Sequence, residues 1–377
     1  MRPTYAEIDL SNLKFNYINI RKKVKNKKIM AVVKADAYGH GVKETVNALN
    51  SLGQRKPEYY AVAVLEEAKE LVGLKIKQPV LIFEPIIKED IDSVLFKQII
   101  PTVFNDEHLR ILLKNNKQIS SGSKAQSRIR VHVKIYTGMN RLGVKYNEAL
   151  NFVHRLSRNK NFLIDGMYTH FATSDEKDKE FAYLQLERFN KLVFELKAAG
   201  IRPGVIHAAN SGAIIDIPDA YFDMVRPGIS LYGYYPSTET TESIRLKPVM
   251  SIVSYVASIK EIEPGESVSY GRLFYAERYT KIISVPIGYA DGYNRNLTNK
   301  SKAILNGKIY NQVGRVTMDR IMFDVGNDNV KVGQKIILMG KDKGLKYDAW
   351  DWSHILGTIP YEITCNISKR VPRIYKD

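Results

Sequence analysis

The sequence contains a single cysteine, Cys365, in 377 residues, so an intrachain disulfide is excluded. No Cys/His cluster has zinc spacing, so no metal site is expected. This usage fits a reducing cytoplasm. Apolar runs long enough to span a bilayer are missing, and the start, MRPTYAEIDL, has no cationic segment leading into an apolar stretch. The expectation is a soluble protein without a signal peptide or a membrane partner. Walker, HExxH and GxSxG patterns are absent, which removes their usual chemistries. Long blocks of like charge are missing too, although the formal net charge is +17. Lysines occur only in short runs such as KKVKNKK at 22–28 and KDKGLK at 341–346. That scatter reads as a solvated basic surface and not as a specific nucleic-acid site.

What is present points to two domains, since 377 residues of which 44% are hydrophobic can bury a large core. Eight short β-rich runs begin at 29 (IMAVVKAD), 59 (YYAVAV), 79 (PVLIF), 99 (IIPTVF), 128 (RIRVHVKIY), 163 (LIDGMYTHF), 204 (GVIHAAN) and 222 (FDMVRPG). Segments of helical period separate them, among them DEKDKEFAYLQLERFNKLVFELKAAG with its terminal glycine. Near-continuous apolar strands alternating with helices predict an α/β fold, an N-terminal (β/α)8 TIM barrel over 1–240. After LYGYYPSTETTES the pattern turns mostly β, with VMSIVSYVASI, a PGE turn, KIISVPIGYADGY and a KAILNGKIYNQVG hairpin at Asn306-Gly307. A C-terminal mostly-β domain over 241–377 is expected, with one late helix in YDAWDWSHILGTI, and residues 1–10 are left to pack with either domain.

In such a barrel the chemistry sits at the C-terminal ends of the strands. Those ends supply Lys34 and Tyr38, Lys134 with Arg141 shortly after, His170, His207 with Asn210 and Ser211, then Arg226 and Gly228. Each alone reads as a structural residue; their convergence on one rim does not. The segments ANSGA and RPGIS bring small residues and free N–H groups to the place where barrels often bind phosphate. A lysine facing such a rim suggests a Schiff base with a phosphorylated carbonyl compound. An aldolase acting on a sugar phosphate and a lysine holding pyridoxal phosphate (PLP) both remain open on this ground.

AVVKADAYGHG resembles the PLP-lysine motif of the bacterial alanine racemases, PLP enzymes of fold-type III. VHVKIYTGMNRLG, YTHFATSDE, HAANSGA, VRPGISLYG, VSYGRLF, PIGYADGY, VGRVTMD and PYEITC follow in that family's order. The resemblance implies interconversion of L- and D-alanine, supplying D-alanine for cell-wall peptidoglycan. It implies that Lys34 carries PLP, that Tyr38, Ser211, Gly228, Ile229 and Tyr361 hold the phosphate, and that Asn210 lies beside Ser211. Arg226 meets the pyridine nitrogen with His207 bracing it, His170 packs on the ring, and Arg141 approaches the phenolic oxygen and the substrate. Tyr289 and Met318 contact the substrate near its carboxylate. Lys34 and Tyr270 are the two bases that flank the α-carbon, and Lys134 is carbamylated, its reversed charge holding Arg141.

The chemistry of these implied roles is coherent. Racemisation needs a base on each face of a planar intermediate. An arginine at the pyridine nitrogen is a permanent cation that disfavours protonation there and limits transamination. A tyrosine with a pKa near ~10 is a poor base at neutral pH, and a cationic chain through His170, Arg226 and His207 is expected to lower it. Tyr136, Thr317 and Arg320 depart from the residues usual in the family. The rival readings are a serine or broad-specificity racemase and, from another class, a non-catalytic PLP-binding homeostasis protein that resembles the barrel half alone. The resemblance also implies a homodimer in which each active site is completed by the partner chain.

Overall fold

A computed structural model describes residues 3–89, 98–114 and 128–377. Eight parallel strands close a barrel: Lys28–Val32, Tyr59–Val62, Val80–Ile82, Ile99–Val103, Ile129–Tyr136, Phe162–Tyr168, Val205–His207 and Met224–Val225. Each pairs with its neighbours in sequence, and the ring closes where Met224 and Val225 register against Lys28 and Ile29. Tyr59–Val62, Val80–Ile82 and Ile99–Val103 are buried at every position, because a barrel strand has side chains packed on both faces. Helices alternate with the strands on the outside. The longest, Glu180–Ala198, ends before Gly200, whose φ of +74° is a left-handed stop.

The second sheet is mostly antiparallel. It runs Ser258–Ile262, Thr280–Val285, Ile321–Asp324, Lys308–Val313, Lys302–Leu305, Lys335–Asp342, Met250–Tyr255, Tyr5–Asp9 and Arg373–Lys376. The strand Tyr5–Asp9 lies in this sheet, antiparallel to Met250–Tyr255 and parallel to Arg373–Lys376. The chain then enters the barrel through the helix Leu10–Val24, whose N-cap Asp9 accepts from the Asn12 N–H at 2.9 Å. Asn306 and Gly307 have φ of 54° and 76° and join strands that register Leu305 with Lys308, as a type I′ hairpin requires.

The expected late helix is Ala349–Leu356, ended at Gly357 (φ 67°), and a further short helix that the sequence did not suggest, Pro360–Cys365, follows it. The proline at the start of the second needs no N–H there, and that short helix brings Tyr361 to the barrel. Among the described residues no helix is long and apolar enough to cross a membrane.

Candidate active site

The strand Lys28–Val32 stops two residues before Lys34, and the chain then does something its composition does not announce. Ala35, Asp36, Ala37 and Tyr38 all sit in the left-handed region, with φ of 51–55° and ψ of 38–52°, followed by Gly39 at φ 81°. Each non-glycine residue held there costs about 1–2 kcal/mol, and such strain collects at functional sites. The turn delivers Lys34 and Tyr38 to the mouth of the barrel.

There they line one cavity of about 310 Å³ with Lys134, Arg141, His170, Asn210, Ser211, Arg226, Gly228, Ile229 and Tyr361. The structure thus gathers the barrel residues picked out by sequence, together with Tyr361. At one end, Ser211 opens the short helix Ser211–Asp216, and Asn210 caps it by accepting from the Ala213 N–H at 3.1 Å. Ser174 donates to the same Asn210 oxygen at 2.8 Å. The Ser211 Oγ accepts the Gly228 N–H at 3.0 Å and lies 3.1 Å from the Ser230 hydroxyl. A Cβ on Gly228 would stand 2.6 Å from the Tyr38 hydroxyl, so only glycine leaves this corner open. Hydroxyls and backbone N–H groups around an open corner make an anion cradle.

At the other end stands Arg226, 3% exposed. Its Nη1 donates to His207 Nδ1 at 2.8 Å, and its Nη2 donates to the Thr169 and Ala208 carbonyls, each at 2.8 Å, and lies 3.4 Å from His170 Nδ1. Since His207 accepts at Nδ1, its proton sits on Nε2 and points at His132 Nδ1, 3.0 Å away. His132 Nε2 then donates to Asp165 at 3.2 Å, and Arg130 donates to the other Asp165 oxygen at 2.9 Å. Burial, then the Arg226 charge, holds both His170 and His207 well below the ordinary imidazole value. The expected cationic chain is therefore a single cation, Arg226, set among neutral imidazoles; desolvation and the like charge of the guanidinium both disfavour protonating a histidine there. Arg226 itself is lowered to about 10 by burial.

Lys134 is 6% exposed, its Nζ 5.6 Å from the centre of the Tyr168 ring, with Arg226 over the same ring at 5.3 Å. Burial first, then Arg141 and Arg226, lowers its pKa to about 8, so about a tenth of this amine is neutral at pH 7, far more than for an ordinary lysine. Tyr168 stacks on His207 with ring centres 4.9 Å apart. The sequence reading missed Tyr168, His132 and Asp165. His132 precedes Lys134 by two on one strand, and period two is the signal that marks it as inward-facing. Gly166 makes room for it, since a Cβ there would lie 2.6 Å from the His132 ring.

Tyr270, Tyr289 and Met318 do not line this cavity. They gather on the second domain, around a cleft shared with Arg315, Thr317, Asp319 and Arg320. Tyr289 N–H donates to the Thr317 carbonyl at 3.0 Å, which ties the two loops. Tyr270 is 74% exposed, Met318 51% and Tyr289 43%. Of the departures, the Thr317 hydroxyl closes its own turn by donating to the Arg320 carbonyl at 2.9 Å, and Arg320 donates to Ser284 at 3.3 Å. Tyr136 lines a separate cleft with Gly143 and Phe152. None of the three borders the Lys34 cavity.

Comparison with known proteins agrees with this division. Residues 8–236 match the family description "Alanine racemase, N-terminal domain" and residues 249–375 "Alanine racemase, C-terminal domain". The chain is 43% identical to an alanine racemase of Clostridium perfringens, over 100% of this chain and 96% of that one. It is 40% identical to that of Carboxydothermus hydrogenoformans, over 100% of both. Among solved structures, alanine racemase of Clostridium difficile 630 superposes with a TM-score of 0.91 at 37% identity, covering 100% of this chain and 96% of the other. The same enzyme in complex with cycloserine gives 0.90 at 36% identity, over 100% and 96%. Both halves are matched in order on one chain, and the likeness holds in sequence and in three dimensions; the chain belongs to the alanine racemase family.

Proposed function

We propose that this chain is a PLP-dependent racemase that interconverts L- and D-alanine by a two-base mechanism. The observation that carries the reading is the presence of two half-sites, a barrel cavity lined by Lys34 together with an anion cradle and an exposed cluster of Tyr270, Tyr289 and Met318 around a cleft of the second domain. The cavity suits PLP on the chemistry of its lining: an open corner at Gly228 with the Ser211 and Tyr38 hydroxyls for a phosphate, a lysine for the carbonyl carbon, and a fixed cation for a ring nitrogen. When bound, PLP supplies an electron sink for the charge left on the α-carbon.

The chain's residues divide the remaining work. Lys34 holds the cofactor and takes or returns the α-proton on one face, and Tyr270 does so on the other. Tyr38, Ser211, Gly228, Ile229 and Tyr361 hold the phosphate with Asn210 behind Ser211, and His170 packs beside the ring. Arg226, fixed by His207 and two carbonyls, keeps a positive charge where a ring proton would otherwise sit, which limits the sink and suppresses transamination. Arg141, Tyr289 and Met318 receive the substrate. Lys134, with its pKa lowered to about 8, presents the neutral amine that carbamylation requires, and the resulting carbamate holds Arg141.

Lys34 and Tyr270 lie in different domains, the barrel and the mostly-β domain, and the active unit is a homodimer in which each cavity is closed by the partner's tyrosine cluster. A reducing cytoplasm suits the single cysteine. The bulk of Tyr289 and Tyr361 favours alanine over a larger side chain. A racemisation assay across a panel of L-amino acids tests the reading: alanine is converted fastest, whereas faster conversion of serine identifies the broader enzyme and no conversion of any overturns racemisation.

A further inference from the structure

The strained turn that carries Lys34 is gripped by side chains that do not themselves line the cavity. Glu67, in the first turn of the helix Leu65–Gly73, accepts the Ala35 N–H at 2.6 Å through one carboxylate oxygen. Its other oxygen accepts the Ala63 and Val64 N–H groups at 2.8 and 3.3 Å, so the carboxylate ties the turn to the start of its own helix. On the far side, His40 Nδ1 lies 3.0 Å from the Ala37 carbonyl and 2.9 Å from that of Tyr38, and donates to them. Asp36 accepts the Val42 N–H at 2.7 Å, and Arg373 of the last strand donates to the Gly39 carbonyl at 3.0 Å. A left-handed run of four L-residues does not persist by preference; it persists where surrounding contacts over-determine it.

We propose that Glu67 is a positioning residue for Lys34: by fixing the Ala35 N–H it holds the left-handed turn in place before the cofactor arrives. The proposal rests on the reading that Lys34 carries PLP only for its functional consequence, since the turn's conformation is a property of the protein alone. Preorganisation of this kind shows as cofactor affinity, because a turn that must be ordered on binding subtracts from it.

The test uses the full chain with Glu67→Ala, Ala35→Gly and the double variant. The Ala35 side chain is exposed, and glycine enters the left-handed region without penalty, so Ala35→Gly relieves strain and removes only a solvent-facing methyl. The readouts are PLP affinity after removal of the cofactor, and hydrogen exchange of the Ala37, His40 and Gly41 amides, which bond within the turn, in cofactor-free protein. Glu67→Ala is expected to weaken PLP binding about tenfold and to speed exchange by a similar factor. The double variant should return both to within about threefold of wild type. Unchanged affinity and exchange in Glu67→Ala overturn the proposal, as does a loss that Ala35→Gly fails to restore, which assigns Glu67 to general packing. Should Glu67→Ala not fold, Ala35→Gly alone decides: slower exchange supports a strained turn, and faster exchange, as for glycine in an ordinary helix, refutes it. If wild type takes up no PLP, the cofactor reading falls while the exchange measurement still decides for the turn.

Discussion

The mouth of the barrel and the tyrosine cluster of the second domain are built on opposite principles. The barrel site is enclosed and over-determined: Arg226 is 3% exposed and Lys134 6%, and the guanidinium is tied to His207, Thr169 and Ala208. The second cluster is open, with Tyr270 74% exposed on a short turn between Ser269 at φ 68° and Gly271 at φ 72°. A buried network holds a cofactor in fixed geometry, whereas an exposed aromatic group on shaped loops is what one side of an interface looks like before it is covered. In the proposed function, binding and one base reside in the first region, and the second base with the substrate contacts in the second. Neither region makes a complete racemase.

Substitutions in the two regions should therefore fail differently. Lys34→Ala is expected to abolish both functions: racemisation falls by at least about 10³-fold, and borohydride no longer fixes a pyridoxyl group to the chain. Label fixed on another lysine in wild type would remove Lys34 from its role. Tyr270→Phe should lose about 10²- to 10⁴-fold in kcat with the cofactor absorbance intact, because the cradle lies in the other region; near-normal turnover would break the comparison. Gly228→Ala should leave the tyrosine cluster untouched and weaken PLP binding about tenfold, since its methyl group would meet the Tyr38 hydroxyl at 2.6 Å.

The smallest effect is a pH dependence particular to the barrel. Folded Lys134 gives up its proton near pH 8, while the ordinary lysine value is 10.5. Between those values the unfolded chain binds more protons, so stability rises with pH across that window. Denaturant titrations in carbonate-free buffer should show wild type gaining on Lys134→Met from pH 8 to 10. Parallel curves would mean that the lysine is not depressed.

Much of this was legible in the sequence, for physical reasons. Barrel strands read as continuous apolar runs because both of their faces are packed, and the residues at their C-terminal ends converge because parallel strands place those ends on one rim. Asn306-Gly307 announced its hairpin because few other pairs tolerate two positive φ values. The left-handed turn was not legible: Ala35 and Ala37 are ordinary residues, and their conformation is imposed by Glu67 and Arg373, distant in sequence. Nor was the neutrality of His170 and His207, which depends on burial and not on residue type. The relay through His132 to Asp165 needed the barrel interior to bring two strands together, and the short helix at Pro360 followed the preceding one too closely to stand out.

The central claim, that each working site joins the barrel of one chain to Tyr270 of another, is tested most directly by mixing Lys34→Ala and Tyr270→Phe after dissociating and reassembling them together. In a mixed dimer one site carries both lesions, and the other joins an intact Lys34 to an intact Tyr270. Activity should return to at most about one quarter of wild type when half the dimers are mixed and the sites act independently. Verified mixed dimers that show no recovery would contradict the shared site and require both bases to act within one chain.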